Sequence, residues 1–347
     1  MSTWPPDPGY PANPAAPPYP PYVPPTFEQL ADAVRPALPV ADREYHSFYR
    51  SPRFAWWKPL AAIMLAALGW GMVQLTLGLV WFLWTMAAGN PVPTGLDDMV
   101  MTPDFFLINN LGIALAIPVA LGAHWAVFGQ RPRWLSSVAG GFRWGWFGRC
   151  VAWTLPLWVG VLAVELALAP PEDVRWREYT IFMVVVILVT TPFQAAGEEY
   201  LMRGLQQRAV GSWFRNPVVG WVVSTIVSSL TFMSLHLAQD IWLNIYYLAF
   251  GMGASWLVWR SGGLEAAVAI HVVNNMVSEV LMPFTDFSGM LDRTAGTADA
   301  TILFNVAVMV GAIALLTWQA RRHGLATASA PGRAQVEAAA QQANLYR

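Results

Sequence analysis

The chain has 347 residues, of which 56% are hydrophobic and 12% charged, with a formal net charge of −1 at pH 7. Soluble domains carry about 25% charged residues, so water is not the main solvent for this chain. The balanced charge offers no concentrated basic field and excludes nucleic acid as a partner. A lone Cys150 excludes an internal disulfide and any multi-cysteine metal site.

In chain order, Met1 to about Phe27 is dominated by Pro with interspersed Tyr. Such a stretch cannot build a core and favours extended conformations. It reads as a disordered spacer, and 1–53 as a proline-rich cytoplasmic tail with a juxtamembrane segment. The tail has no basic region followed by an apolar core, so no cleavable signal peptide is expected and the first apolar segment acts as its own insertion signal.

Eight candidate spans follow: Phe54–Ala88, Phe105–Phe128, Val151–Leu168, Ile181 into the helix carrying Glu198, Val218–Leu237, Ile241–Trp259, Leu264–Pro283 and Ile302–Trp318. Each is long and apolar enough to cross about 30 Å of hydrocarbon as helix. Strand alternation of the kind a membrane barrel needs is absent. The expected fold is therefore an all-α, polytopic transmembrane helical bundle of about eight spans over 54–320, followed by a flexible cytoplasmic tail, 321–347.

Basic residues collect in alternate connections, as they do on the cytoplasmic side of membrane proteins. Arg35, Arg43, Arg50, Arg53 and Lys58 precede span one. Arg131, Arg133, Arg143 and Arg149 follow span two; Arg203, Arg208 and Arg215 follow span four; Arg260 follows span six; Arg321 and Arg322 follow span eight. The opposite connections hold only Arg175, Arg177 and Arg293. A multi-pass protein of the cell membrane with both termini cytoplasmic is expected.

Ionisable side chains inside spans are costly and mark functional sites. Glu165, near the outer end of span three, reads as facing water. His124 reads as a neutral histidine hydrogen-bonded within the bundle, and Asn109 and Asn110 as interhelical hydrogen-bonding groups. The informative cluster lies on three later helices. Glu199 and Arg203, four apart, share a face and can pair, which leaves Glu198 about 100° away without a local cation. His236 ends span five, four residues after Phe232. His271 and Asn275 stand one turn apart in span seven. Two histidines and a glutamate (His236, His271, Glu198) suit a divalent metal such as zinc that keeps a water, and equally suit holding a water without metal while a carboxylate takes its proton. Asn275 can donate to a developing oxyanion. One tension remains: the boundaries place Glu198 near the inner surface and His236 deep in span five, roughly 10–20 Å apart in depth.

The patterns EExxxR (Glu198, Glu199, Arg203), FxxxH (Phe232, His236) and HxxxN (His271, Asn275), in this order on hydrophobic helices, resemble the CPBP family of intramembrane peptidases, named for CaaX proteases and bacteriocin-processing enzymes. The resemblance covers about 181–283. It implies a metalloprotease site in which Glu198 activates water with His236, and Glu199, His271 and Asn275 complete the catalytic group. Arg203 and Phe232 are its structural support. It also implies a membrane-associated peptide or protein substrate. A non-catalytic immunity or scaffold protein of the same fold and a proton-coupled transporter are the competing readings. The depth of His271 and a short connection at Ala238–Asp240 together predict a water-filled cavity opening to the cytoplasm.

Overall fold

The computed structural model describes residues 24–93, 95 and 99–345. The proline-rich segment expected as a spacer therefore lies, up to Val23, outside the described residues. Among the described residues, seven helices are long and apolar enough to cross a membrane: Lys58–Ala87, Pro103–Phe128, Trp144–Leu168, Thr180–Gly211, Pro217–Leu235, Ile241–Ser261 and Ile302–Arg322. The protein is an all-α, multi-pass membrane bundle.

The first long helix, α2 (Lys58–Ala87), shows how lipid exposure is written in sequence. Leu68, Met72, Leu75 and Leu79 recur at helical spacing and are each more than half exposed, a pattern that water would penalise and hydrocarbon does not. The second span is two helices, α3 (Pro103–Ala114) and α4 (Ala116–Phe128). Thr102 caps α3 by accepting from Phe105 N, and Pro103 takes the first helical position, where a missing N–H costs nothing. After a short helix α5 (Arg133–Ser136) comes α6 (Trp144–Leu168).

The fourth span is the most unusual. It runs as α7 (Thr180–Glu199), a π-helical stretch Tyr200–Gln207 and a terminal turn α8 (Arg208–Gly211). Arg203 and Arg208, expected in a cytoplasmic connection, are inside this helix and fully buried. Their charges suggested a loop, but each is neutralised or solvated within the bundle, so the helix does not stop for them. Glu198 accordingly lies 13 residues before the helix end at Gly211, about 20 Å by the helical rise. His236 follows the 19-residue α9 (Pro217–Leu235), which runs back past it. The depth mismatch expected from sequence was an error in the end of span four.

The seventh expected span is also corrected. After α10 (Ile241–Ser261), α11 (Glu265–Ser278) has only 14 residues, about 21 Å of rise against about 30 Å of hydrocarbon. All residues from Glu265 to Val273 are buried, and α11 packs against α6, α7 and α10. Its apolar sequence reports a central core helix, not a lipid-facing one. Turns and a loop then lead to α12 (Ile302–Arg322).

Both ends of the described chain lie on one face. Strands β1 (Arg43–Glu44) and β2 (Ala328–Ser329) pair antiparallel, and α1 (Phe27–Val34) packs against α13 (Arg333–Leu345). The segment after 321, expected as a flexible tail, is thus folded onto the start of the chain. Gly262, at φ +69°, turns from α10 towards α11 where a side chain would collide with Ala326 O. Since α10 ends on this face and α12 returns to it, α11 and its following turns make the pass between them.

Candidate active site

The site grows from two antiparallel faces, one on α7 and one on α11. Gly197 brings α7 against α3, because a Cβ there would overlap Ile113 O. From α7, residues Thr191, Gln194 and Glu198 recur at spacings of three and four; from α11, His271, Asn275 and Glu279 recur at four. Such spacings put each set on one side of its helix. They meet as three rungs. Glu198 Oε2 is 3.8 Å from His271 Nε2, Asn275 Nδ2 donates to Gln194 Oε1 at 2.9 Å, and Thr191 Oγ1 donates to Glu279 Oε2 at 2.6 Å.

Behind the first rung lies the buried ion pair. Arg203 Nη1 donates to Glu199 Oε1 at 3.0 Å, and both side chains are fully enclosed. The same carboxylate oxygen is 2.8 Å from His271 Nδ1, so Glu199 fixes the orientation of the imidazole and turns Nε2 towards Glu198. The Arg203 guanidinium lies 4.4 Å over the Phe232 ring, a cation–π contact that partly replaces lost hydration. Phe232 also meets the His271 ring edge-on at 5.9 Å.

His236 follows α9. Its Nδ1 contacts Phe232 O at 2.8 Å, and its ring stacks on Tyr247 at 3.9 Å. With the Nδ1 proton given to that carbonyl, Nε2 keeps its lone pair. The next residue, Leu237, has φ 53°, a left-handed conformation that costs a branched side chain about 1–2 kcal/mol and reverses the chain sharply after the histidine. Glu198, His236, His271, Asn275 and Phe232 all line one cavity of about 700 Å³, together with Gln194, Tyr247, Glu279 and Arg293. Every residue of the three motifs therefore borders this cavity or, as Glu199 and Arg203 do, supports its wall.

The cavity does not extend towards the face with the chain ends. It runs from Leu201 and Met202 to Leu237, Met290, Leu291 and Arg293, towards the opposite face. The continued helix beyond Glu199 closes the near side. On the far side a strap after α11 crosses the mouth: Gln239 N donates to Arg293 O at 2.8 Å and Gly296 N to Asp240 Oδ2 at 2.8 Å. Arg293 Nη1 also donates to His236 O at 2.5 Å.

A resident divalent metal needs three or more donors around one point. Among the described residues no three His, Cys, Asp or Glu side chains gather in that way. His271 holds Nδ1 on Glu199, which leaves Nε2 directed to the cavity beside Glu198.

Sequence reasoning passed over Gln194, which donates through Nε2 to Glu198 Oε1 and accepts from Asn275. Its signal was its position four residues before Glu198. It also passed over Asn274, whose Oδ1 receives Trp158 Nε1 at 3.0 Å and Tyr246 OH at 2.5 Å while its Nδ2 donates to Asn275 Oδ1 at 3.0 Å. His124, Asn110 and Glu165 sit as expected, whereas Asn109 lines the cavity. His124 is buried against Tyr49 OH, Asn110 donates to Thr190 and Thr191 across helices, and Glu165 is exposed beside Asn305.

Residues 177–277 match the family model described as type II CAAX prenyl endopeptidase Rce1-like. This segment is similar to that family. It contains all three motifs, from Glu198 to Asn275. The uncharacterized protein YyaK of Bacillus subtilis (strain 168) is 25% identical over 175 residues, which cover 46% of this chain and 57% of that protein. The chain thus spans little more than half the length of that relative. No solved structure matches the chain.

Proposed function

We propose that the chain is an intramembrane endopeptidase that cleaves a peptide bond of a membrane-associated peptide or protein with water activated by Glu198. The observation that carries the reading is the position of Glu198. Its neighbour Glu199 absorbs Arg203 and His271 Nδ1, so Glu198 faces the cavity with Gln194 and the free nitrogen of His271. Two acceptors 3.8 Å apart are close to the separation that the two O–H groups of a single water bridge. The water's proton passes to Glu198 as its oxygen attacks the carbonyl carbon. His236 Nε2 borders the same space and holds the attacking water from the other side. Asn275 has one N–H committed to Gln194 and its oxygen held by Asn274. Its second N–H is the donor for the developing oxyanion, preorganised before substrate arrives. Among the described residues no three His, Cys, Asp or Glu side chains gather at one point, and no step in this reading uses a metal.

The arginine-rich connections share the face of the chain ends, which the positive-inside rule assigns to the cytoplasm. The cavity then receives substrate from the non-cytoplasmic half of the bilayer. The test is hydrolysis of a pool of N-acylated apolar peptides in phosphatidylcholine liposomes. Glu198→Gln keeps volume and hydrogen bonding but cannot take the proton, and its turnover should fall by about 10²–10⁴-fold; a variant as fast as wild type defeats the assignment. Metal analysis of the purified active protein should find no stoichiometric divalent ion. In a chain freed of Cys150, a cysteine at Met290 should react with an impermeant thiol reagent added outside intact cells.

A further inference from the structure

Of the two acids that line the cavity, Glu198 and Glu279, the scheme above employs only the first. Glu279 is 6% exposed. One oxygen accepts from Thr191, and no protein group donates to the other among the described residues, although the side chain borders the cavity. No Lys, Arg or His lies within ion-pair range of it among those residues either. A buried carboxyl without a cation carries its proton at less cost than its charge. Its place on the ladder is informative. His271, which faces the base, Asn275, which faces the oxyanion, and Glu279 follow one another on a single face of α11 at four-residue steps. The outer two stand about 12 Å apart along the axis. A line from base through water, carbonyl carbon and departing nitrogen to an acid spans about 9 Å, two hydrogen bonds of ~2.8 Å plus the reacting bonds. Leaning side chains cover the difference.

We propose that Glu279 is the acid that protonates the departing amine, on the far side of the scissile bond from Glu198. The inference rests on the peptidase reading. In balance, a water O–H proton goes to Glu198 as the new C–O bond forms and the carbonyl electron pair moves onto oxygen at Asn275. The C=O bond then re-forms, the C–N bond breaks, and its electron pair takes the proton of Glu279. Glu198 is left neutral and Glu279 anionic. Transfer of one proton between them through cavity water restores both, and one water is consumed.

Dependence on the leaving group tests this. From the pool, a peptide cleaved by wild type is remade with an ester in place of the scissile amide, since an alkoxide departs with far less need of a proton donor than an amide nitrogen does. Glu279→Gln should lower kcat on the amide by about 100-fold or more, with less than about 3-fold loss on the ester and little change in KM. Glu279→Asp, which still has a proton to give, should recover at least about tenfold over Glu279→Gln on the amide. Equal losses on amide and ester, including those of a misfolded variant, overturn the proposal. So does a change confined to KM, or an Asp variant no better than Gln. A wild type that cuts the amide no faster than Glu198→Gln defeats the peptidase reading itself, which is a different result.

Discussion

Arg203 and Arg208 lie five residues apart on one helix and neither has any exposed surface, yet the bundle accommodates them by different means. Arg203 has an anion: Glu199 at 3.0 Å, which also holds His271. Arg208 has no carboxylate in ion-pair range among the described residues. It donates to Trp134 O at 2.7 Å and lies 3.9 Å over the Tyr45 ring, with Phe48 and Tyr49 at 5.1 and 5.6 Å. The first arrangement ties a charge to the chemistry, and the second uses a charge to anchor the segment before α2 against the bundle. Burial of an arginine in a membrane protein is thus not by itself a sign of catalysis. What its partners touch decides.

The comparison breaks most visibly at Arg203. Arg203→Met strands Glu199 as an uncompensated buried charge, at a cost of about 3–5 kcal/mol, and should abolish turnover as well; a variant as stable and active as wild type in detergent unfolding and liposome assays would sink the pairing. Adding Glu199→Leu should restore much of that stability, since both charges are then gone, but no activity, because His271 loses its anchor. Recovery of turnover in the double variant would show that Glu199 serves only Arg203.

Arg208→Met should be milder. It removes cation–π and carbonyl contacts without stranding an anion, so a loss of about 1–2 kcal/mol is expected, with turnover of the remaining folded protein within about threefold of wild type. If Arg208→Met costs as much as Arg203→Met, the two environments are not distinct. Gln194→Leu sharpens the catalytic side alone. Turnover should drop about tenfold or more, equivalent to about 1.4 kcal/mol in the barrier, with stability little changed; normal kinetics would remove Gln194 from the site.

The smallest effect concerns the same anchor. His46 is buried beside it with Nε2 3.0 Å from Pro217 O. Burial lowers its pKa below the ordinary value, against the opposing pull of Glu44 and the Pro217 carbonyl. A base whose folded pKa is depressed stabilises the fold above its unfolded pKa of about 6.5, and that contribution is lost as pH falls below it. Wild type should therefore show a larger drop in melting temperature than His46→Gln between pH 7.5 and pH 5. Identical losses would show that the ring is not held neutral.

Most of the fold was legible because uninterrupted apolar runs have one solution in lipid. The failures occurred where a local reading met a global context. Arg203 and Arg208 looked like the charges that end a span, and only tertiary partners reveal a helix that continues. Leu264–Pro283 had the composition of a span, and composition does not distinguish lipid from protein as the surrounding apolar medium. In the site, residues whose ionisation is costly stood out, and the structure brings them to one cavity. Gln194 and Asn274 did not stand out, because an uncharged amide in a helix carries no comparable penalty and its role depends on what it meets. Glu279 was overlooked at the end of a presumed span.

The π-helical stretch Tyr200–Gln207 also sets a constraint on how this sequence can vary. Each residue there turns less than the 100° of an α-helix, and the lag accumulates over eight residues. The stretch acts as a phase shifter between the end of the helix that faces the chemistry and the end that faces the aromatic anchor. Deleting one residue from Leu205–Gln207 would let the chain relax to ordinary pitch and leave Glu199 and Arg203 four apart. Arg208 and everything after it would then swing around the axis, away from Tyr45. Length changes in this short interval are therefore felt as rotations, and tolerance to them should be lower here than in any of the loops.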